Sequence, residues 1–199
     1  MQSSYDGIIV MDKPSGMTSH DLVDSVRKIF SMKRVGHGGT LDPMATGVLP
    51  VMLGKATLLS MHLSGSDKEY EGEMLMGRET DTLDITGKTL GEKGAAGLDI
   101  GRIEAAAALF TGEIEQVPPM FSAIKVDGRR LHDLARRGIE VKREKRRVFI
   151  HEMKILGYRP PVASFKVTCS KGTYIRSLAA DIGRSLGCGA CHPRHEGKL

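Results

Sequence analysis

Tryptophan is absent from this 199-residue chain, and aromatic residues make up only 5% of it. Cysteine is nearly as scarce. The three present, Cys169, Cys188 and Cys191, are too few for a disulfide framework, and eleven methionines beside them do not suggest a secreted scaffold. No run approaches the roughly 18 consecutive apolar residues of a membrane span. The N-terminus also lacks a basic region followed by an apolar stretch, so neither a membrane protein nor an exported one is expected. A cytoplasmic location is the reading that remains.

What is present is the composition of a soluble globular protein, 40% hydrophobic and 27% charged, long enough for one well-cored domain with a small appendage. The net charge of +5 is unevenly spread. Residues 124–147 hold ten basic residues against four acids, a net of +6, which leaves the remainder of the chain at −1. A basic run is commonly a solvated face. One that concentrates the whole excess fits a surface that binds phosphates.

Local patterns place the elements. A short buried strand is predicted over Asp6–Met11. Thr18 and Asp21 form a capping box, with Asp for the usual Glu, ahead of a helix through Phe30. Strands are predicted over Val48–Leu53 and Lys68–Met76, with a short helix over Ala56–Leu63 between them. Asp99 opens an Ala-rich helix through Phe110. Asp127-Gly128 signals a hairpin, followed by a basic amphipathic helix that ends at Gly138. Val148–Tyr158 and Ala163–Cys169 read as strands joined across Pro160-Pro161, and Tyr174–Leu186 as the last helix. Strands joined by short connections and interleaved with helices predict a mixed, mostly antiparallel α/β fold of the α+β type.

The stretch Gly36-His37-Gly38-Gly39-Thr40-Leu41-Asp42-Pro43-Met44, continuing through Ala45-Thr46-Gly47-Val48-Leu49-Pro50, holds a single acid among residues that stiffen or free the backbone. Pro43 biases Asp42 away from helical geometry, so its carboxylate is presented from a non-helical loop. Taken alone, such a loop is a turn whose Asp caps backbone N–H groups. The whole stretch, however, resembles the catalytic-aspartate motif of the TruB family of tRNA pseudouridine synthases, with Gly38 where that family usually has a small hydroxyl residue. Four further blocks resemble the family in the right order. They are Gly7–Ser19 with Lys13-Pro14, Lys68-Glu69-Tyr70 followed by Gly77–Asp84, Gln116–Lys125, and Cys169–Leu178 with Tyr174 and Arg176. Together they cover about residues 6–190.

The resemblance implies a pseudouridine synthase core, a central bent antiparallel sheet flanked by helices, with residues 124–147 as an RNA-gripping insertion. It implies isomerisation of uridine 55 in the T-loop of tRNA, by breaking the C1′–N1 bond, turning the base and forming C1′–C5. That reaction exchanges no electrons and adds no atoms, so no cofactor and no metal is expected. Asp42 is then the essential carboxylate, acting as nucleophile or base. Arg176 would keep it ionised and aimed. Tyr70 would stack on the flipped base and Tyr174 would line the pocket. His37 is expected near the nucleotide, Lys13 either on the RNA or in a structural role, Asp84 at the pocket ordering its polar groups, and Arg136, Arg137, Arg146 and Arg147 on the phosphates of the T-arm. A monomer without membrane or obligate protein partners is expected.

The resemblance weakens after Ala190. Cys191–Leu199 does not follow the family's His-Val-x-x-Leu-Arg-Arg continuation, and the small C-terminal RNA-binding module is not seen. A catalytic domain over 1–190 is expected, then a short divergent tail too poor in apolar residues to order itself. Cys188-Gly-Ala-Cys191-His192 also fits a loose haem-attachment pattern, and with His195 a zinc set, but the rest of the chain supports neither. Two other functions stand beside the leading one. They are a non-catalytic tRNA-binding protein or chaperone and a guide-RNA-dependent relative, which usually carries Lys-Val-Thr-Gly where this chain has Met44-Ala-Thr-Gly47.

Overall fold

Gly7–Lys13 alternates half-buried Ile9 and Met11 with exposed Ile8 and Val10, and this period of two makes it a strand, β1, in the computed structural model. The structure describes residues 5–193 and the backbone of 195–198. The chain forms two units, Met1–Gly72 with Arg194–Leu199, and Glu73–Pro193.

In the first unit, helix α1 (Ser19–Ile29) starts as its sequence predicts. The Thr18 hydroxyl accepts from the Asp21 N–H at 3.0 Å, and the Asp21 carboxylate accepts from the Thr18 N–H at 2.8 Å. Leu22, Val23 and Val26 are its buried stripe. Strand β2 (Val35–His37) pairs with β3 (Thr46–Leu53), which also pairs antiparallel with β1 from Gly7↔Leu53 to Lys13↔Gly47. The single helix expected next is a 3₁₀ turn, Gly54–Leu59, running into α2 (Ser60–Gly65). Strand β4 (Lys68–Met76) begins in this unit. The strand His195–Lys198 lies between β3 and β4, parallel to the first (Gly197↔Gly47) and antiparallel to the second (Gly197↔Tyr70). Val35, Leu41, Leu49 and Val51 complete the core with α1.

In the second unit, β5 (Arg78–Thr80) and β6 (Thr89–Glu92) form a two-stranded sheet. Helix α3 (Ile100–Ala108) is capped by the Asp99 carboxylate, which accepts from the Arg102 N–H at 2.8 Å. Strand β7 (Gly112–Gln116) precedes the hairpin β8 (Lys125–Val126) and β9 (Arg129–Arg130), whose turn residues Asp127 and Gly128 have φ of 49° and 77°. Two positive φ angles in succession are what a two-residue hairpin turn of matching twist requires. Helix α4 (Leu131–Arg136) leads to β10 (Arg146–Arg159), which pairs antiparallel with both β7 and β11 (Val162–Cys169). Helix α5 (Ile175–Ser185) follows, and β12 (Ala190–Cys191) pairs with the end of β4. Ile103, Ile150, Phe165, Leu178 and Ile182 form the core here.

The mixed, largely antiparallel α/β class expected from the sequence is the class found. The divergent stretch after Ala190 does not begin as a loose tail. Cys191 and His192 are fully buried, and the His192 N–H donates to the Leu83 carbonyl at 3.0 Å. Pairing with an existing strand edge supplied the backbone partners that its own composition could not. Among the described residues no helix is long and apolar enough to cross a membrane.

Candidate active site

One segment, residues 13–19, folds onto the loop that carries Asp42. The Pro43 carbonyl accepts from the Gly16 N–H at 2.9 Å and from the Lys13 ammonium at 3.3 Å. The Ser15 hydroxyl donates to the Met44 carbonyl at 3.1 Å. On the other side of Asp42, the buried Ser19 hydroxyl accepts from the Leu41 N–H at 2.9 Å and donates to its carbonyl at 3.2 Å. Asp42 is therefore a half-buried carboxylate on a loop fixed at the residues before and after it.

Lys13 explains why the opening Lys-Pro block accompanies the aspartate motif. It is 0% exposed, and its ammonium donates to the carbonyls of Pro14 and Met17, both at 2.8 Å, as well as to Pro43. Burial pulls its pKa down from the usual lysine value, and the Asp42 charge opposes that fall. This lysine braces the loop and has no face left for RNA. Ser19 and Ser15 do similar work that no sequence signal marked, because their partners are backbone atoms.

His37 is half-buried on β2, with Nδ1 buried and lacking a hydrogen-bond partner among the described residues. Burial holds its pKa below the ordinary histidine value, against the Gly39 backbone, which raises it. The next residue explains one departure from the family pattern. A Cβ on Gly38 would meet the Leu63 Cβ at 2.9 Å, so glycine leaves room for that side chain. Tyr70, on β4, is half-buried against the same apolar cluster that holds Leu41 and Ala45. Asp42, His37, Tyr70 and Lys13 thus all belong to the first unit.

Arg176, Tyr174 and Asp84 belong to the second. Arg176, only 7% exposed on the first turn of α5, donates to the carbonyls of Thr82 (3.3 Å) and Phe121 (3.0 Å) and approaches the Asp84 carboxylate at 3.4 Å. Asp84 in turn accepts from the Thr82 hydroxyl and from both the N–H and hydroxyl of Thr86. Asp84 thus holds the arginine in place. Tyr174, the residue before α5, has its N–H donated to the Gln116 side-chain oxygen at 3.0 Å, and its carbonyl accepts from the Gln116 amide nitrogen at 3.3 Å.

The basic segment divides in two. Arg136 and Arg137 line an open concavity of about 700 Å³ with Lys125, Arg129 and Arg130, where Asp133 is the one acid. Arg146 and Arg147 are exposed on β10 away from those lining residues, and Arg147 lies 3.5 Å from Glu113 on β7. Lys125, Arg129 and Arg130 were counted in the basic run but not singled out, because nothing in sequence tells which side of a hairpin a cation occupies. Among the described residues no cluster of three or more His, Cys, Asp or Glu side chains is placed to hold a metal ion.

Residues 27–175 match a family model described as TruB family pseudouridylate synthase (N terminal domain). The chain is 52% identical over 191 residues to the tRNA pseudouridine synthase B of Symbiobacterium thermophilum, covering 94% of this chain and 64% of that protein. It is 50% identical over 184 residues to the protein of the same name from Clostridium kluyveri, covering 92% and 63%. The chain therefore spans less than two thirds of the length of these curated relatives. Among solved structures it resembles a chain in a Cbf5-Nop10-Gar1 complex, with a TM-score of 0.75 and 33% identity over 97% of this chain and 48% of that one. It also resembles a chain in an H/ACA RNP bound to a substrate RNA containing 2′-deoxyuridine, with a TM-score of 0.71 and 30% identity over 97% and 47%.

Proposed function

The chain belongs to the TruB family of pseudouridylate synthases, and from that membership we propose that it converts uridine 55 in the T-loop of tRNA to pseudouridine. The observation that carries the reading is Asp42, a half-buried carboxylate on a loop pinned at Leu41, Pro43 and Met44. A carboxylate held still in this way suits a reaction that breaks C1′–N1 and makes C1′–C5, since little of its binding freedom is left to lose on reaching the sugar. The proton that leaves C5 ends on N1, and the product has the atoms of the substrate.

A base in a folded T-loop is stacked, so it must first be extruded, which costs a few kcal/mol. Stacking on Tyr70 offsets on the order of 1–3 kcal/mol of this. Tyr174 lines the nucleotide, and Arg176, fixed by Asp84 and two carbonyls, supplies a positive charge that does not need to reorganise during reaction. His37 is neutral at pH 7 and serves as a contact to the nucleotide. The concavity of Lys125, Arg129, Arg130, Arg136 and Arg137 takes backbone phosphates of the T-arm, in an insertion at about 124–147 within a catalytic domain of about 1–190. The enzyme works in the cytoplasm as a monomer, without a guide RNA.

Incubating the chain alone with an unmodified tRNA transcript and mapping pseudouridine tests this reading. Asp42→Asn should abolish product while keeping tRNA binding within about tenfold, since the amide keeps the shape and loses the basicity. Near-normal turnover by that variant would remove Asp42 from the mechanism. Product only on addition of a guide RNA would instead favour the guide-RNA-dependent reading. Binding without any product would favour a chaperone.

A further inference from the structure

Gln116 was part of a recognised block but had no role in the site. It is 1% exposed, and its side-chain amide makes two hydrogen bonds to a single residue, 58 positions away. The oxygen accepts from the Tyr174 N–H and the nitrogen donates to the Tyr174 carbonyl, so the amide pairs with Tyr174 as a neighbouring strand would. Tyr174 is extended, with φ of −100° and ψ of 108°, and no side chain caps α5 in its place. Its carbonyl also accepts the first helical bond, from the Leu178 N–H at 3.0 Å. Three residues after Tyr174, the Ser177 hydroxyl donates to the Val117 carbonyl at 3.2 Å, and Arg176 reaches the Phe121 carbonyl.

We propose that Gln116 is a positioning residue, whose grip on the Tyr174 backbone sets both the ring of Tyr174 and the start of α5 from which Arg176 projects. The proposal rests on the reading of the site given above. Its physical basis is that the first turn of a helix has no internal partners for its N–H groups and frays unless something outside fixes it. Here the fixing group is a buried amide at the end of β7, which is itself paired with β10 through Gln116↔Arg146. Tyr174 and Arg176 thereby inherit the rigidity of a sheet. A displacement of about 1 Å at such a residue is enough to lower turnover on the order of a hundredfold.

The test compares Gln116→Glu, Gln116→Met and Ser177→Ala with the parent, in single-turnover pseudouridine formation and in tRNA binding. In Gln116→Met both bonds to Tyr174 are gone, and the rate should fall about tenfold to a hundredfold while tRNA affinity stays within about threefold. Gln116→Glu adds a pH signature. The carboxylate accepts from the Tyr174 N–H but faces the carbonyl with another acceptor, whereas the protonated acid donates to it. Its rate relative to the parent should therefore rise as pH falls from about 8 to about 5.5, and Gln116→Met should show no such rise. Ser177→Ala, a milder change, should lower the rate without altering affinity.

Equal, pH-independent losses in the Glu and Met variants would mark Gln116 as packing only and overturn the proposal. A parent rate in both Gln116→Met and Ser177→Ala would do the same. Amide hydrogen exchange at Tyr174 is read on the same proteins and needs no activity. It should accelerate in Gln116→Met, and protection equal to the parent's would show that no grip existed. A parent chain that made no pseudouridine would sink the functional reading, and the exchange result would still decide the grip.

Discussion

Replacing Lys13 with methionine isolates the brace beneath Asp42, because methionine fills much of the same volume and donates nothing. The ammonium serves three carbonyls, and Pro43 would keep the Gly16 N–H as a partner, so the carbonyls of Pro14 and Met17 lose their lysine donor. Pro14 is exposed and Met17 half-buried, so water can replace part of what their carbonyls lose, and the direct loss is about 1–3 kcal/mol. Removing a buried charge returns part of this, since the ammonium no longer has to be desolvated. A net destabilisation of about 1–2 kcal/mol is expected, a noticeable fraction of the roughly 5–15 kcal/mol that holds a domain together. With a urea slope of about 2 kcal/mol per molar, the unfolding midpoint should drop by about 0.5–1 M. Turnover should fall too, because the loop after Asp42 loses one of its holds at Pro43. An unchanged midpoint together with unchanged turnover would mean that Lys13 braces nothing.

Replacing Lys125, Arg129, Arg136 and Arg137 with alanine should weaken binding of a T-arm hairpin and reduce the slope of log affinity against log salt by about 3, if each meets one phosphate. Arg146→Ala with Arg147→Ala should change that slope less, because Arg147 already faces Glu113; fluorescence anisotropy across a salt series distinguishes the two, and equal slopes would return the concavity to an ordinary solvated face. For His37, a folded-state pKa below the unfolded value of about 6.5 means that the unfolded chain takes up the proton first. The associated stability is present above that value and is lost as pH falls through the lower folded value. His37→Gln should flatten the part of the unfolding free energy that varies between about pH 7.5 and pH 5, and an identical profile would remove His37 as its source.

Signals that act over a few residues were legible in the sequence. Thr18 with Asp21, Asp99 before α3, Asp127-Gly128 in the hairpin and Gly138 after α4 each carry their reason within one turn of chain. Strand β7 was not legible. Gly112-Glu-Ile-Glu-Gln116 offers one apolar residue, and it is a strand because β10 lies beside it. Site residues divide on the same line. Motif resemblance pointed to Asp42, Tyr70 and Arg176, and to Lys13 without telling whether it meets RNA or the backbone, since a lysine ordinarily belongs at the surface. Its burial follows from carbonyls supplied by two loops, and Gln116 likewise acts on a backbone that only the fold brings near. Residue type states what a side chain can bond, and the fold decides which backbone atoms come within its reach.

The strand His195–Lys198 gives the first unit an unusual order of assembly. Its partners, β3 and β4, are made early in the chain, whereas the strand that joins them follows the whole of the second unit. Closing so long a loop adds little to the equilibrium cost, since loop entropy grows only logarithmically. The kinetic consequence is larger, because a pairing of such high sequence separation forms late. Until it does, β3 and β4 each present an open edge to other chains. Refolding yield should therefore depend steeply on protein concentration, with losses concentrated in the interval before the last strand docks.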